Sequence, residues 1–171
     1  VVLQEPQNLL LKYDFQNVNF VSKTVYDVSG NGRNGTFNGG SSIMGVNGKA
    51  FLLNGSHRVA WSGTDLLGNK KNATHMTIIL WQYTNKTTQE MASNFPTLVG
   101  KEDYAKKTGF FFGTYESNSY NIGLRIGDGA QQYSLSFRPG DIRQWTQLAV
   151  VYSGDGNGQR TIKLYENGVL R

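Results

Sequence analysis

The hydrophobic positions of this chain recur at a spacing of two rather than 3.6. Residues 9–15 predict a strand with Leu9, Leu11, Tyr13 and Phe15 on one face. Ala50-Phe51-Leu52-Leu53 reads as a buried strand, and Arg58-Val59-Ala60-Trp61 alternates again. Residues 76–83 are rich in β-branched and aromatic side chains, with Met76, Ile78, Leu80 and Gln82 facing one way. Further strands are predicted at 97–100, 109–113, 120–126, 133–137, 145–152 and 161–166. Trp81 and Trp145 fall inside these runs beside aliphatic residues and are expected in the core. No window of about 12 residues keeps an uninterrupted i, i+3, i+4, i+7 apolar pattern, so helices are not expected.

Turn-forming clusters punctuate the strands: Ser29-Gly30-Asn31-Gly32, Asn38-Gly39-Gly40, Asn47-Gly48, Asn54-Gly55, Gly127-Asp128-Gly129 and Gly154-Asp155-Gly156-Asn157-Gly158. Short strands and turns at this spacing predict an all-β sandwich or barrel. Two antiparallel sheets packed face to face would each bury one side. Residues 62–75 and 84–96 are polar and irregular and are expected to be loops. No internal repeat and no low-complexity tract interrupts the chain.

Composition narrows the possibilities. A length of 171 residues suits one domain. Apolar residues make up 38%, enough for a core of ordinary size, so the chain is not expected to be disordered. The absence of cysteine excludes disulfides, thiol catalysis and cysteine-ligated metals within it. With only His57 and His75, a histidine-rich metal site is not expected. The excess of 17 Lys and Arg over 12 Asp and Glu is scattered, so no nucleic-acid partner is expected. No run approaches the roughly 18 apolar residues of a membrane helix. Sequons at Asn34, Asn54, Asn72 and Asn85 point to a secreted, extracellular or cell-surface setting if glycosylated, although Asn-Gly turns alone would place two of them. The N-terminus lacks the basic and apolar regions of a signal, so either one was removed or the segment continues an upstream domain.

Several motifs in order carry a resemblance. They are Tyr13-Asp14-Phe15, the run from Tyr26-Asp27 through Ser29-Gly30-Asn31-Gly32 to Gly35-Thr36, and Gly48-Lys49-Ala50-Phe51-Leu52-Leu53-Asn54-Gly55. Met76 to Trp81, Trp145 to Tyr152, and Leu164-Tyr165-Glu166-Asn167-Gly168-Val169-Leu170 follow. Together they resemble the laminin-G-like branch of the concanavalin A-like lectin/glucanase superfamily. The resemblance implies a two-sheet antiparallel jelly-roll sandwich spanning residues 1–171 as one domain. Family members continue beyond the Asn-Gly-Val-Leu turn with further strands, whereas this chain stops at Arg171. A fragment of a longer protein is therefore expected, with neighbouring domains or subunits completing the sheet.

The glucanases of that superfamily carry Glu-x-Asp-x-Glu on one strand, because retaining hydrolysis needs two carboxylates about 5–5.5 Å apart. No such series occurs here; Glu102-Asp103 and Asp14 stand isolated. Gly-x-Ser-x-Gly is also absent, so no catalytic residue is expected. Calcium needs hard oxygen ligands from a tight loop, which the run after Asp27 fits, and the resemblance also implies Asp27 as ligand, with Asn34 or a nearby backbone carbonyl second; Asp27 capping a turn is the alternative. The Asp155–Gly158 run is oxygen-rich but reads first as a hairpin loop. Sugar binding needs an aromatic platform beside planar polar groups. The candidates are Arg58, Trp61, Tyr104, Tyr115 and Arg125, with His57, Tyr120 and Tyr133 behind them. The resemblance implies non-catalytic recognition of a glycan or glycoprotein. An adhesive module contacting neighbouring protein domains, or a polysaccharide hydrolase or lyase with another site, are the alternatives.

Overall fold

The computed structural model describes residues 8–63, 75–85, 97–116, 119–140, 143–154 and 159–171, with the backbone alone at 115–116 and 119–120. Every regular element in them is an antiparallel strand, and no helix occurs among the described residues. None is therefore long and apolar enough to cross a membrane. The chain divides into two compact units, Val1–Leu66 and Leu67–Arg171.

In the first unit β1 (Val18–Asn19), β2 (Thr24–Val25) and β3 (Gly35–Phe37) pair in sequence. A separate hairpin joins β4 (Ser41–Gly45) to β5 (Gly48–Leu52), and β6 (Val59–Ala60) returns beside β3. Aromatic rings bind the unit together. Phe51 lies 5.0 Å from Phe37 and stacks on Phe15 at 5.7 Å, while Phe20 meets Phe37 edge-on. The Asn47-Gly48 turn needs the positive φ that Gly48 supplies, +97°. The Gln16 side chain straps it, accepting from the Lys49 N–H and donating to the Asn47 and Lys49 carbonyls.

Two expectations fail here. Residues 9–15 form no strand. Their backbone groups are taken by side chains and one loop amide instead of a ladder, as described below. Phe15 also sits at φ +58°, which breaks an extended run. Residues 50–52 do fall in β5, but in a two-stranded hairpin that leaves Leu52 exposed rather than buried, and Leu53, just beyond it, is exposed as well.

In the second unit β7 (His75–Gln82), β8 (Thr97–Asp103), β9 (Thr108–Glu116) and β10 (Ser119–Asp128) come first along the chain. Then follow β11 (Gln132–Phe137), β12 (Thr146–Gly154), β13 (Arg160–Glu166) and β14 (Val169–Leu170). They make two four-stranded antiparallel sheets, ordered β11-β10-β9-β8 and β14-β13-β12-β7. One core lies between them. Phe110, Phe112, Ile122, Leu124 and Ile126 come from the first sheet; Met76, Leu148, Val150, Tyr152 and Leu164 come from the second. Both sheets thus bury the alternating positions of their strands, as a sandwich requires.

Met76, Ile78 and Leu80 face this core as expected, opposite Tyr152, Val150 and Leu148. The same alternation turns Trp81 outward, where it is 45% exposed, so its expected core role is wrong. Trp145 precedes β12 rather than joining it, half-buried with its ring 5.7 Å from Tyr83.

Strand β13 is held at both ends. Arg160 donates to Asp128 at 2.8 Å and to the Tyr152 hydroxyl at 3.0 Å, and lies 4.1 Å over the Tyr133 ring. Glu166, buried at the other end, accepts from the Gly140 N–H at 2.7 Å and from Arg171. Each clasp ties the second sheet to the segment bounding β11 in the first. Phe112 is fully buried at the centre. Phe112→Ala should cost about 3–5 kcal/mol through lost transfer energy and a cavity. Chemical denaturation measures it, and a loss below about 1 kcal/mol would contradict a close-packed core.

Candidate functional site

The outward face of β11-β10-β9-β8 is built from the positions that the core leaves over. With Phe110 and Phe112 turned in, Phe111 turns out; with Leu124 and Ile126 in, Arg125 turns out. Register sets Arg125 directly opposite Phe111 on one side and Ser134 on the other. One row along, Glu102 on β8 faces Gly109, Gly109 faces Gly127, and Gly127 faces Gln132 on β11. The row is thus two long polar side chains separated by two glycines.

That separation is what the polar groups bridge. Arg125 donates through Nε and Nη2 to the two oxygens of Glu102, both at 2.6 Å. Gln132 Nε2 donates to the same carboxylate at 3.4 Å, reaching toward β8 from β11. Side chains at 109 and 127 would stand in the way, and the backbone forbids them independently. A Cβ on Gly109 would collide with the Lys101 carbonyl, and one on Gly127 with the Lys107 carbonyl.

The Arg125 guanidinium is also stacked. Its centre lies 5.1 Å from the Phe111 ring and 4.8 Å from the Tyr104 ring. Tyr104 belongs to the turn between β8 and β9, closed by the Lys107 N–H to the Tyr104 carbonyl. It is 65% exposed, whereas the Arg125 and Glu102 side chains are only 22% and 12% exposed. The arrangement is a shallow polar basin with an aromatic ring at its lip. The fork between Arg125 and Glu102 makes Arg125 a positioning residue, which fixes both the carboxylate and the ring.

Of the candidate residues, Tyr104 and Arg125 are brought together on this face. Glu102 and Gln132 were missed, because their partners lie 23 and 30 residues away and only register reveals them. Tyr133 instead turns toward the core beneath Arg160. Arg58 and Trp61 lie in the first unit. Arg58 is exposed with its N–H on Asn38 Oδ1, and Trp61 carries the Arg33 guanidinium over its ring at 5.7 Å. His57 packs under Gly39. The side chains of Tyr115 and Tyr120, together with Asn72 and the Asp155–Gly158 run, lie outside the described residues. So do most of the loops expected at 62–75 and 84–96. Asn34, Asn54 and Asn85 are exposed.

The Asp27 loop is a hydrogen-bond hub. Asp27 Oδ1 accepts from the Lys12 and Ser29 N–H groups at 3.0 and 2.9 Å, and Oδ2 from the Arg33 N–H at 2.9 Å. Asn34 Oδ1 accepts from the Asp27 N–H. The Leu9 carbonyl takes the Asn31 amide, and the Leu10 carbonyl takes the Arg33 guanidinium at 2.6 Å. The Lys12 carbonyl accepts from the Val28 N–H. These contacts replace the ladder expected for residues 9–15. They also bear on calcium: donors converge on the oxygens a cation would need, and a guanidinium sits among them. This donor set does not fit a calcium ion.

A family model described as the concanavalin A-like lectin/glucanases superfamily, Laminin_G_3, matches residues 53–171. The chain belongs to this superfamily. Neither a curated protein nor a solved structure matches the chain. Within the concanavalin A-like match lie both sheets of the sandwich and the Tyr104–Arg125 basin, whereas Asp27 and Asn34 precede it.

Burial alone would raise the Asp27 carboxyl, but the hydrogen bonds from Ser29, Lys12 and Arg33 outweigh it and leave the pKa below the ordinary aspartate value. The neighbouring Tyr13 hydroxyl, which donates to the Arg33 carbonyl, is pushed up to about 12 by burial and then by the Asp27 charge. A lowered carboxyl contributes stability that is fully present above its unfolded value, about 4, and is lost as pH falls through the folded one. Asp27→Asn is expected to lower Tm at neutral pH and to flatten its decline below about pH 4. Thermal melts of both proteins against pH test this, and parallel acid slopes would refute it. The same melts are expected to coincide with and without a chelator.

Proposed function

We propose that this chain is a non-catalytic recognition module, working outside the cell, that binds a glycan on the outward face of β11-β10-β9-β8. One observation carries the reading: an exposed Tyr104 ring stands beside the Glu102–Arg125–Gln132 array on a single sheet face. Sugars present C–H faces to aromatic rings and hydroxyl edges to planar polar groups, and the basin offers both. The sequons at Asn34, Asn54, Asn72 and Asn85 support the extracellular setting.

The chemistry supports binding rather than turnover. Glu102 is engaged through both oxygens by Arg125, a fixed arrangement that suits holding a ligand. Its neighbour Asp103 follows it directly on the same strand, so the two point to opposite sides and cannot flank one glycosidic bond.

A second reading rests on the outer face of the other sheet. There Ile79, Ala149, Tyr165 and Leu170 stand in one row across four strands, and Ile79 and Leu170 are 63% and 58% exposed. Apolar rows of this kind suit contact with another protein domain. Binding of the purified chain to an array of immobilised glycans separates the two readings. Retention on at least one glycan, reduced about ten-fold or more by Glu102→Ala, is the expected result. Absence of retention on every glycan would favour the protein-contact module.

A further inference from the structure

We infer that the basin selects neutral sugars over sulfated or uronic-acid glycans, an inference that rests on the glycan-binding reading above. The charge at its centre is matched in place, where the Arg125 guanidinium meets both Glu102 oxygens. At the neighbouring turns Lys106 pairs with Asp103 at 3.1 Å and Arg160 with Asp128, while Lys107 donates to the neutral Ala130 carbonyl and keeps its charge at the rim. An acidic group entering beside Tyr104 would meet Glu102 and would have to compete for a guanidinium already held in a fork. Exchanging one carboxylate partner for another gains little and leaves Glu102 partly buried without its cation.

A neutral hexopyranose faces no such conflict. Its C–H face can lie on the exposed ring of Tyr104, and a hydroxyl can donate to Glu102, of whose roughly four acceptor positions Arg125 and Gln132 take three. The glycine pair at 109 and 127 adds no side chain of its own, so the Gln132 amide crosses it to Glu102 and a sugar ring meets the polar edge of that bridge. Arg125 acts through the groups it fixes, while Tyr104 and Glu102 make the contacts.

The test is titration calorimetry of the whole chain with two sets of probes. The neutral set is cello-, laminari- and chito-oligosaccharides; the acidic set is oligogalacturonate and chondroitin sulfate oligosaccharides. We expect binding to at least one neutral probe, with Kd changing less than about two-fold between about 0.05 and 0.5 M salt. Tyr104→Ala should weaken it about ten-fold or more, while Tyr104→Phe should retain it. Tyr104 is exposed on a turn, so both variants should keep the wild-type melting curve. Binding confined to acidic probes and lost steeply with salt would overturn the neutral selectivity while leaving glycan recognition standing. Neutral binding indifferent to Tyr104→Ala would overturn the assignment to this basin. Failure of every probe, together with a blank glycan array, would overturn both readings.

Discussion

Burial of Phe112 and Leu124 against Leu148 and Val150 decides everything else on the second unit. Three phenylalanines stand in succession at 110–112, and local sequence does not say which of them faces inward. The sandwich decides it by register. A slip of one residue on β10 would carry Arg125 into the space of Leu124, and an unpaired guanidinium in that core is not tolerable. The outward row of Phe111, Arg125 and Glu102 is therefore a consequence of core packing. The two clasps on β13 work to the same end, since Arg160 and Glu166 hold that strand against the segments that bound β11.

Glycine performs a different task in each unit. Gly48 lets a hairpin turn. Gly109 lets the Lys101 carbonyl lie close to β9, Gly127 lets the Lys107 carbonyl lie close to β10, and the same bareness leaves room for Gln132 to reach Glu102. One backbone constraint thus shapes the surface without contributing an atom of side chain to it. The Asp27 loop solves the converse problem. Its carboxylate gathers backbone N–H groups from Lys12, Ser29 and Arg33, so a segment without ladder pairing is still held by satisfied polar groups.

Much of the sandwich was legible in the sequence, and the reasons are specific. Strands β7, β9, β10, β11, β12 and β13 are recognisable as β-rich apolar runs bounded by turn residues, and several alternate cleanly because one face of each is buried. Strand β4 was not legible: Ser41-Ser42-Ile43-Met44-Gly45 belongs to a two-stranded hairpin whose side chains are mostly exposed, so no alternation marks it. Residues 9–15 misled because side chains from a loop about 20 residues away satisfy much of their backbone, which periodicity cannot register. Of the basin, Tyr104 and Arg125 could be named from residue type and position. Glu102 looked isolated because its neighbours are set by strand pairing, which no local pattern encodes.

The division of labour between adjacent residues has an evolutionary corollary. In β9 and β10 the odd-numbered side chains Phe111 and Arg125 meet the outside, and the even-numbered Phe112 and Leu124 hold the fold together. Tyr104, at the lip, sits on a turn that contributes nothing to the interior. Ligand preference can therefore diverge among descendants by exchanges at the turn and its neighbouring edge, at little risk to the interior. A lineage could explore new ligands on an inherited, unaltered frame.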